Sequence, residues 1–117
     1  MEICFEGIGQ MVATFAARNT LIPGMAVTMT GNGEVGLGEE DGKPLCGVTV
    51  GAVRGGAAAV QIGGVVKVGY SGDSAPEVGC AMLACDGEGK VITDSGNGVS
   101  CLVLAVDEDE RSVVVRL

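Results

Sequence analysis

Histidine and tryptophan are absent from the 117-residue sequence, and its aromatic residues are Phe5, Phe15 and Tyr70. Without histidine the chain lacks the commonest general base near neutral pH, the commonest metal-ligating side chain and any Ser-His or Cys-His nucleophile pair. Bases are also scarce. Arg18, Lys43, Arg54, Lys67, Lys90, Arg111 and Arg116 are scattered singly among fifteen acids, for a net charge of −8. Polyanions are repelled by such a surface, so neither nucleic acid nor an anionic membrane is an expected partner. No apolar run approaches the roughly 20 residues of a membrane-spanning helix. The opening Met1-Glu2-Ile3-Cys4-Phe5-Glu6 carries acids where a secretory signal needs bases.

What the chain does have is glycine, 21 residues of 117, against a usual share of about 7%. Each glycine inside a helix costs about 1 kcal/mol relative to alanine, so long helices are disfavoured, while a 47% hydrophobic content argues against disorder. The length suits one domain. Cys4, Cys46, Cys80, Cys85 and Cys101 are odd in number and mostly flanked by apolar residues, as buried free thiols are. They predict a reducing compartment rather than a disulfide framework. Cys80 and Cys85 are too far apart for a C-x-x-C zinc knuckle.

Short alternating apolar runs between turn signals predict an all-β fold, a small barrel or sandwich. Residues 10–15 place Met11, Ala13 and Phe15 on one face, and residues 17–20 read as a turn. A strand begins after Pro23-Gly24 and ends at Gly31-Asn32-Gly33, which supplies the positive-φ residues of a tight hairpin. Further strands are expected over 45–53, 57–68, 80–85, 90–93, 99–106 and 112–117, with turns at 39–42, 54–56, 86–89, 94–98 and 107–110. The acidic clusters fall on these turns.

A shift of 55 residues (79 − 24) superimposes Gly24 on Gly79, Ala26 on Ala81, Cys46 on Cys101, Val48 on Val103 and Val60 on Val115. Turns then meet turns, and residues 24–62 and 79–117 read as two copies of one β unit. The expected organisation is an N-terminal arm and first strand over 1–18, followed by a β-barrel domain over 19–117 whose two units bury their apolar faces together.

Motifs that usually carry chemistry lack their contexts here. Gly31, Gly33 and Gly36 form G-x-G-x-x-G, but residues 37–44 that follow hold no helix to receive a pyrophosphate, and their acids would repel one. The loop at 38–43 is one residue short of a phosphate loop, and Pro44 stands where a magnesium-binding hydroxyl is needed. Asp86, Glu88, Asp107, Glu108, Asp109 and Glu110 lack the spacing of a calcium loop and read as solvated turn acids. The serines at 71, 74, 95, 100 and 112 have no nucleophile-elbow setting. No catalytic residue, metal or cofactor is expected. Lys90 after Asp86-Gly87-Glu88-Gly89, and Val66-Lys67-Val68-Gly69, resemble hairpins of biotinyl and lipoyl carrier domains, but the flanking residues of a modified lysine are missing. A carrier or ligand-binding β-module is therefore the alternative reading.

The order of segments resembles a family of short tailed-phage structural proteins, the capsid decoration or head-cement type. The matching elements are the arm and strand at residues 5–15, Pro23-Gly24-Met25-Ala26-Val27, Cys46-Gly47-Val48, Val60-Gln61-Ile62-Gly63-Gly64-Val65, Gly79-Cys80-Ala81-Met82, Asp86 with Gly89-Lys90-Val91, and the closing Val113-Val114-Val115-Arg116-Leu117. The chain departs from that pattern in its five cysteines and in Met25, where a Gly-Asp pair is typical. The resemblance implies a non-enzymatic protein that passes from the host cytoplasm to the virion surface. There it clamps major capsid protein subunits, with a homotrimer as the favoured oligomer. Ile3, Phe5, Ile8 and Met11 are the candidate interaction residues, in an arm that either adds to a partner's strand or completes its own barrel.

Overall fold

The structure, a computed structural model, describes residues 10–38, 42–51 and 55–117. Among these, the regular elements are strands: β1 (Met11–Ala17), β2 (Ala26–Gly31), β3 (Glu34–Gly36), β4 (Lys43–Pro44), β5 (Gly47–Thr49), β6 (Ala57–Gly63), β7 (Val65–Gly69), β8 (Gly79–Cys85), β9 (Val91–Thr93), β10 (Val99–Asp107) and β11 (Ser112–Arg116). The expected all-β class holds. Strands β1, β3, β2, β5 and β6 close into a barrel in that order, while β4, β8, β10, β11 and β7 form a second, curled sheet with β9 also on β8.

The run expected as one strand over 57–68 is two strands in two different sheets. Gly64 adopts φ +88°, a left-handed conformation that glycine takes without steric cost, and the chain passes there from β6 in the barrel to β7 in the second sheet. Gln61, 3% exposed, spans the break. Its Nε2 donates to the carbonyls of Gly63 and Val65, each at 3.0 Å. The run expected over 45–53 is a strand at Gly47–Thr49, and Val53 lies outside the described residues, as do residues 39–41 of the acidic turn and Arg54.

The two units share one pairing plan. Strand β2 pairs antiparallel with β3 and β5, and β5 with β6; β8 pairs antiparallel with β9 and β10, and β10 with β11. The plan extends beyond the two sequence copies, since β1 lies antiparallel to β6 as β7 lies antiparallel to β11. Even the barrel's parallel closure of β1 on β3 has a counterpart, a single parallel bridge between Tyr70 and Val91. The second sheet is thus the same five-stranded plan, held at its closing seam by one bridge.

Backbone detail repeats too. The Ala17 amide donates to the Gly56 carbonyl at 2.7 Å, and the Tyr70 amide to the Arg111 carbonyl at 2.9 Å. Gly56 has φ +78°. Arg111, one repeat later (111 − 56 = 55), has φ +53° and is the one non-glycine at positive φ among the described residues. Its guanidinium lies over the Tyr70 ring, 5.0 Å from the centroid, and donates to the Gly72 carbonyl at 2.7 Å. Those contacts offset a conformation that costs an ordinary residue about 1–2 kcal/mol.

Two cores result. Leu21, Val27, Val35, Ala58 and Val60 fill the barrel, while Val68, Tyr70, Leu83, Cys85, Val91, Cys101, Val103, Val113 and Val115 fill the second sheet. Ala26, Leu45 and Val48 come from the first unit yet pack into the second core. Adjacent Ala26 and Val27 are both fully buried because alternate side chains of a strand leave opposite faces. Strand β2 is therefore a wall between the two cores. The bridge is reinforced by β4, which leaves the first unit and pairs with β8 through Lys43↔Cys85 and Pro44↔Ala84, and by the Ala26 amide, which donates to the Gly89 carbonyl at 2.8 Å.

Candidate interaction surfaces

Of the four sequence-predicted interaction residues, Ile3, Phe5 and Ile8 lie outside the described residues. Met11 heads β1, opposite Gly63, beside a register shift between Met11 and Val12. It is 60% exposed. From this point on the segment serves the chain's own barrel, with β1 antiparallel to β6 and parallel to β3. Gln10 clasps its start, donating from Nε2 to Gln61 Oε1 at 3.1 Å.

The acidic turns are built by their own carboxylates. Asp86 Oδ1 accepts from the amides of Glu88 and Lys90 at 2.7 and 3.1 Å, and Oδ2 accepts from Ser71 Oγ at 2.6 Å. Asp94 Oδ1 accepts from the amides of Gly96 and Asn97, and Asp107 Oδ1 from those of Asp109 and Glu110. Short acidic side chains mimic a backbone turn in this way, which gives these residues a structural task. Among the described residues no cluster of three or more histidine, cysteine, aspartate or glutamate side chains is placed to hold a metal ion.

Lys67, on the exposed face of β7, donates from Nζ to Glu110 Oε2 at 2.6 Å. That hydrogen bond, with the charges of Glu110 and Asp107, raises its pKa. Lys90 is exposed at the foot of the β8–β9 hairpin. The described thiols are free. Burial raises the pKa of Cys46 and Cys101 and pushes Cys85 up to about 12, with Asp86 and Cys46 adding to the Cys85 shift. Thiols held protonated in this manner are poor nucleophiles. Cys80 is exposed on β8.

A groove of about 790 Å³ lies on the outer side of the second sheet. Val78, Leu104, Ala105, Val106 and Val114 give it an aliphatic floor, and Lys67 with residues 107–109 forms its rim. Val78 is 68% exposed, the highest value among the large apolar residues described. Sequence reading did not nominate Val78 or Leu104: Leu104 passes as an ordinary residue of the expected 99–106 strand, and Val78 falls in the connection between the expected strands 57–68 and 80–85. The repeat offset was the available signal: it sets Val78 against Pro23 and Leu104 against Thr49 (78 − 23 = 104 − 49 = 55), and in the first unit Ile22 and Gly24, on either side of Pro23, hydrogen-bond to Thr49. A smaller polar hollow of about 300 Å³ lies by Arg18, Asn19, Thr28 and Lys43.

Comparison with family models and with curated proteins finds no match to this chain. Among the described residues no helix is long and apolar enough to cross a membrane.

Proposed function

We propose that the chain is a non-enzymatic structural protein of a phage or prophage, one that binds the outer face of the coat lattice and stabilises the head. The observation that carries this reading is the order of sequence segments shared with the head-cement type, from the arm before β1 to the closing Val113-Val114-Val115-Arg116-Leu117. The duplicated β body is compatible with it. A cement needs a stiff scaffold, since the free energy of each weak contact is multiplied by lattice symmetry only if the binding groups are held in fixed relation. Two sheets sharing the wall at β2 supply that stiffness. The major capsid protein is the proposed partner, the homotrimer the proposed assembly and the virion surface the proposed location. The test is co-sedimentation with purified expanded capsids of a tailed phage. Binding that saturates at lattice stoichiometry supports the reading, and absence from the pellet at micromolar concentration refutes it.

The carrier alternative rests on Lys90, exposed where a hairpin presents it. Intact mass after expression in a lipoylating and biotinylating host decides it, because an unmodified mass removes the reading.

A further inference from the structure

The internal duplication allows each unit to be checked against the other, and they differ at one edge. In the first unit, the segment ahead of β2 covers the end of β5. The Gly24 amide donates to the Thr49 carbonyl at 2.7 Å and the Thr49 amide to the Met25 carbonyl at 2.9 Å. Thr49, 1% exposed, also accepts at Oγ1 from the Met25 amide and donates from Oγ1 to the Ile22 carbonyl at 2.6 Å. In the second unit the β8–β10 ladder stops at Val103↔Gly79. Beyond it β10 runs on to Asp107 with β11 on one side only; Leu104 stands at the register shift between Val103 and Ala105, and Val78, just ahead of β8, is exposed.

We propose that this edge of β10, residues 104–107, together with the groove between Val78 and Val114, takes an extended segment of a partner protein that carries aliphatic side chains and at least one lysine or arginine. An added strand satisfies the backbone groups of an open edge, and alternate side chains choose the sequence. Here the aliphatic floor of Val78, Leu104, Ala105 and Val114 receives apolar side chains. The rim sets the charge: Lys67 is paired with Glu110, and Asp107, Glu108 and Asp109 line the groove as well, so acids outnumber the one lysine. The same acids repel a second copy of a chain whose net charge is −8, so self-pairing, the usual hazard of an open edge, is opposed. The inference rests on the duplicated fold and holds whether or not the partner is a coat protein.

The probe is the capped peptide Gly-Lys-Val-Lys-Val-Thr-Val-Gly, titrated into the full isotope-labelled chain while amide shifts are followed, with a comparator in which both lysines are glutamate. The expected result is saturable shifts centred on Val78 and residues 104–107, weakened about tenfold or more for the glutamate peptide and for Val78→Asp. Val78 is so exposed that its substitution leaves the core untouched. As a second variant, the double substitution E108K/D109K on the exposed rim reverses the preference between the two peptides. The proposal is overturned by shifts that never saturate or centre elsewhere, by indifference to Val78→Asp or to peptide charge, or by concentration-dependent shifts at the same amides without peptide, which would make a second copy the occupant. Loss of capsid binding with peptide binding intact would sink the capsid reading alone.

Discussion

Among single residues, Cys85 and Arg111 carry the sharpest consequences. The folded chain holds the Cys85 proton up to about pH 12, against 9.0 for an ordinary thiol. A group whose folded pKa is raised contributes its stability in full below the unfolded pKa and loses it as pH climbs toward the folded one. Urea midpoints are therefore expected to hold from neutral pH to about pH 9 and then fall toward about pH 12, less steeply in Cys85→Ala. Cys46 and Cys101 shift in the same direction and leave a residual slope. An equal slope in wild type and variant would show that Cys85 is not the group responsible. Arg111 combines φ +53° with its contacts to Tyr70 and Gly72. Replacement by alanine removes those contacts and keeps the strain, whereas glycine relieves it. Denaturation should rank Arg111→Ala as the more damaging by about 1 kcal/mol.

At the level of strands, the decisive feature is the passage at Gly64. Ala at that position forces a Cβ into φ +88°, at a cost of about 1–2 kcal/mol, and Gln61→Leu removes the amide that spans the break. Both variants should unfold at lower temperature, and slowed amide exchange at residues 65–69 in either would contradict this account. The same passage marks where sequence reading stopped. Alternation over 57–68 is equally good on both sides of the break, because Val60 and Val68 are inward residues of different sheets, and the one local signal, Gly63-Gly64, does not by itself say that the partner changes. Strands β3 and β4 are too short for periodicity to register, and β4 is defined by pairing with β8, a long-range event. Turns were legible because Asp86, Asp94 and Asp107 act through neighbours two to four residues away. The β10 groove was not, since it exists only where β8 stops short of a longer neighbour.

For the molecule as a whole, the shared wall has a thermodynamic consequence. Leu45 and Val48 belong to the first unit and are buried in the second core, so the second sheet loses part of its core if the barrel unfolds, and unfolding of the second sheet bares Ala26, Leu45 and Val48 on the barrel. One cooperative transition is expected by calorimetry and by circular dichroism, with Leu45→Ala lowering it as a whole by about 2–5 kcal/mol. Two resolved transitions would mean that the repeats are independent bodies. Stiffness of this kind is what the head-cement reading requires, and it predicts more than attachment. The most direct measurement is the temperature at which DNA-filled capsids release their contents, with and without saturating protein. The account predicts release at a higher temperature in proportion to occupancy, and an unchanged release temperature at full occupancy would contradict it.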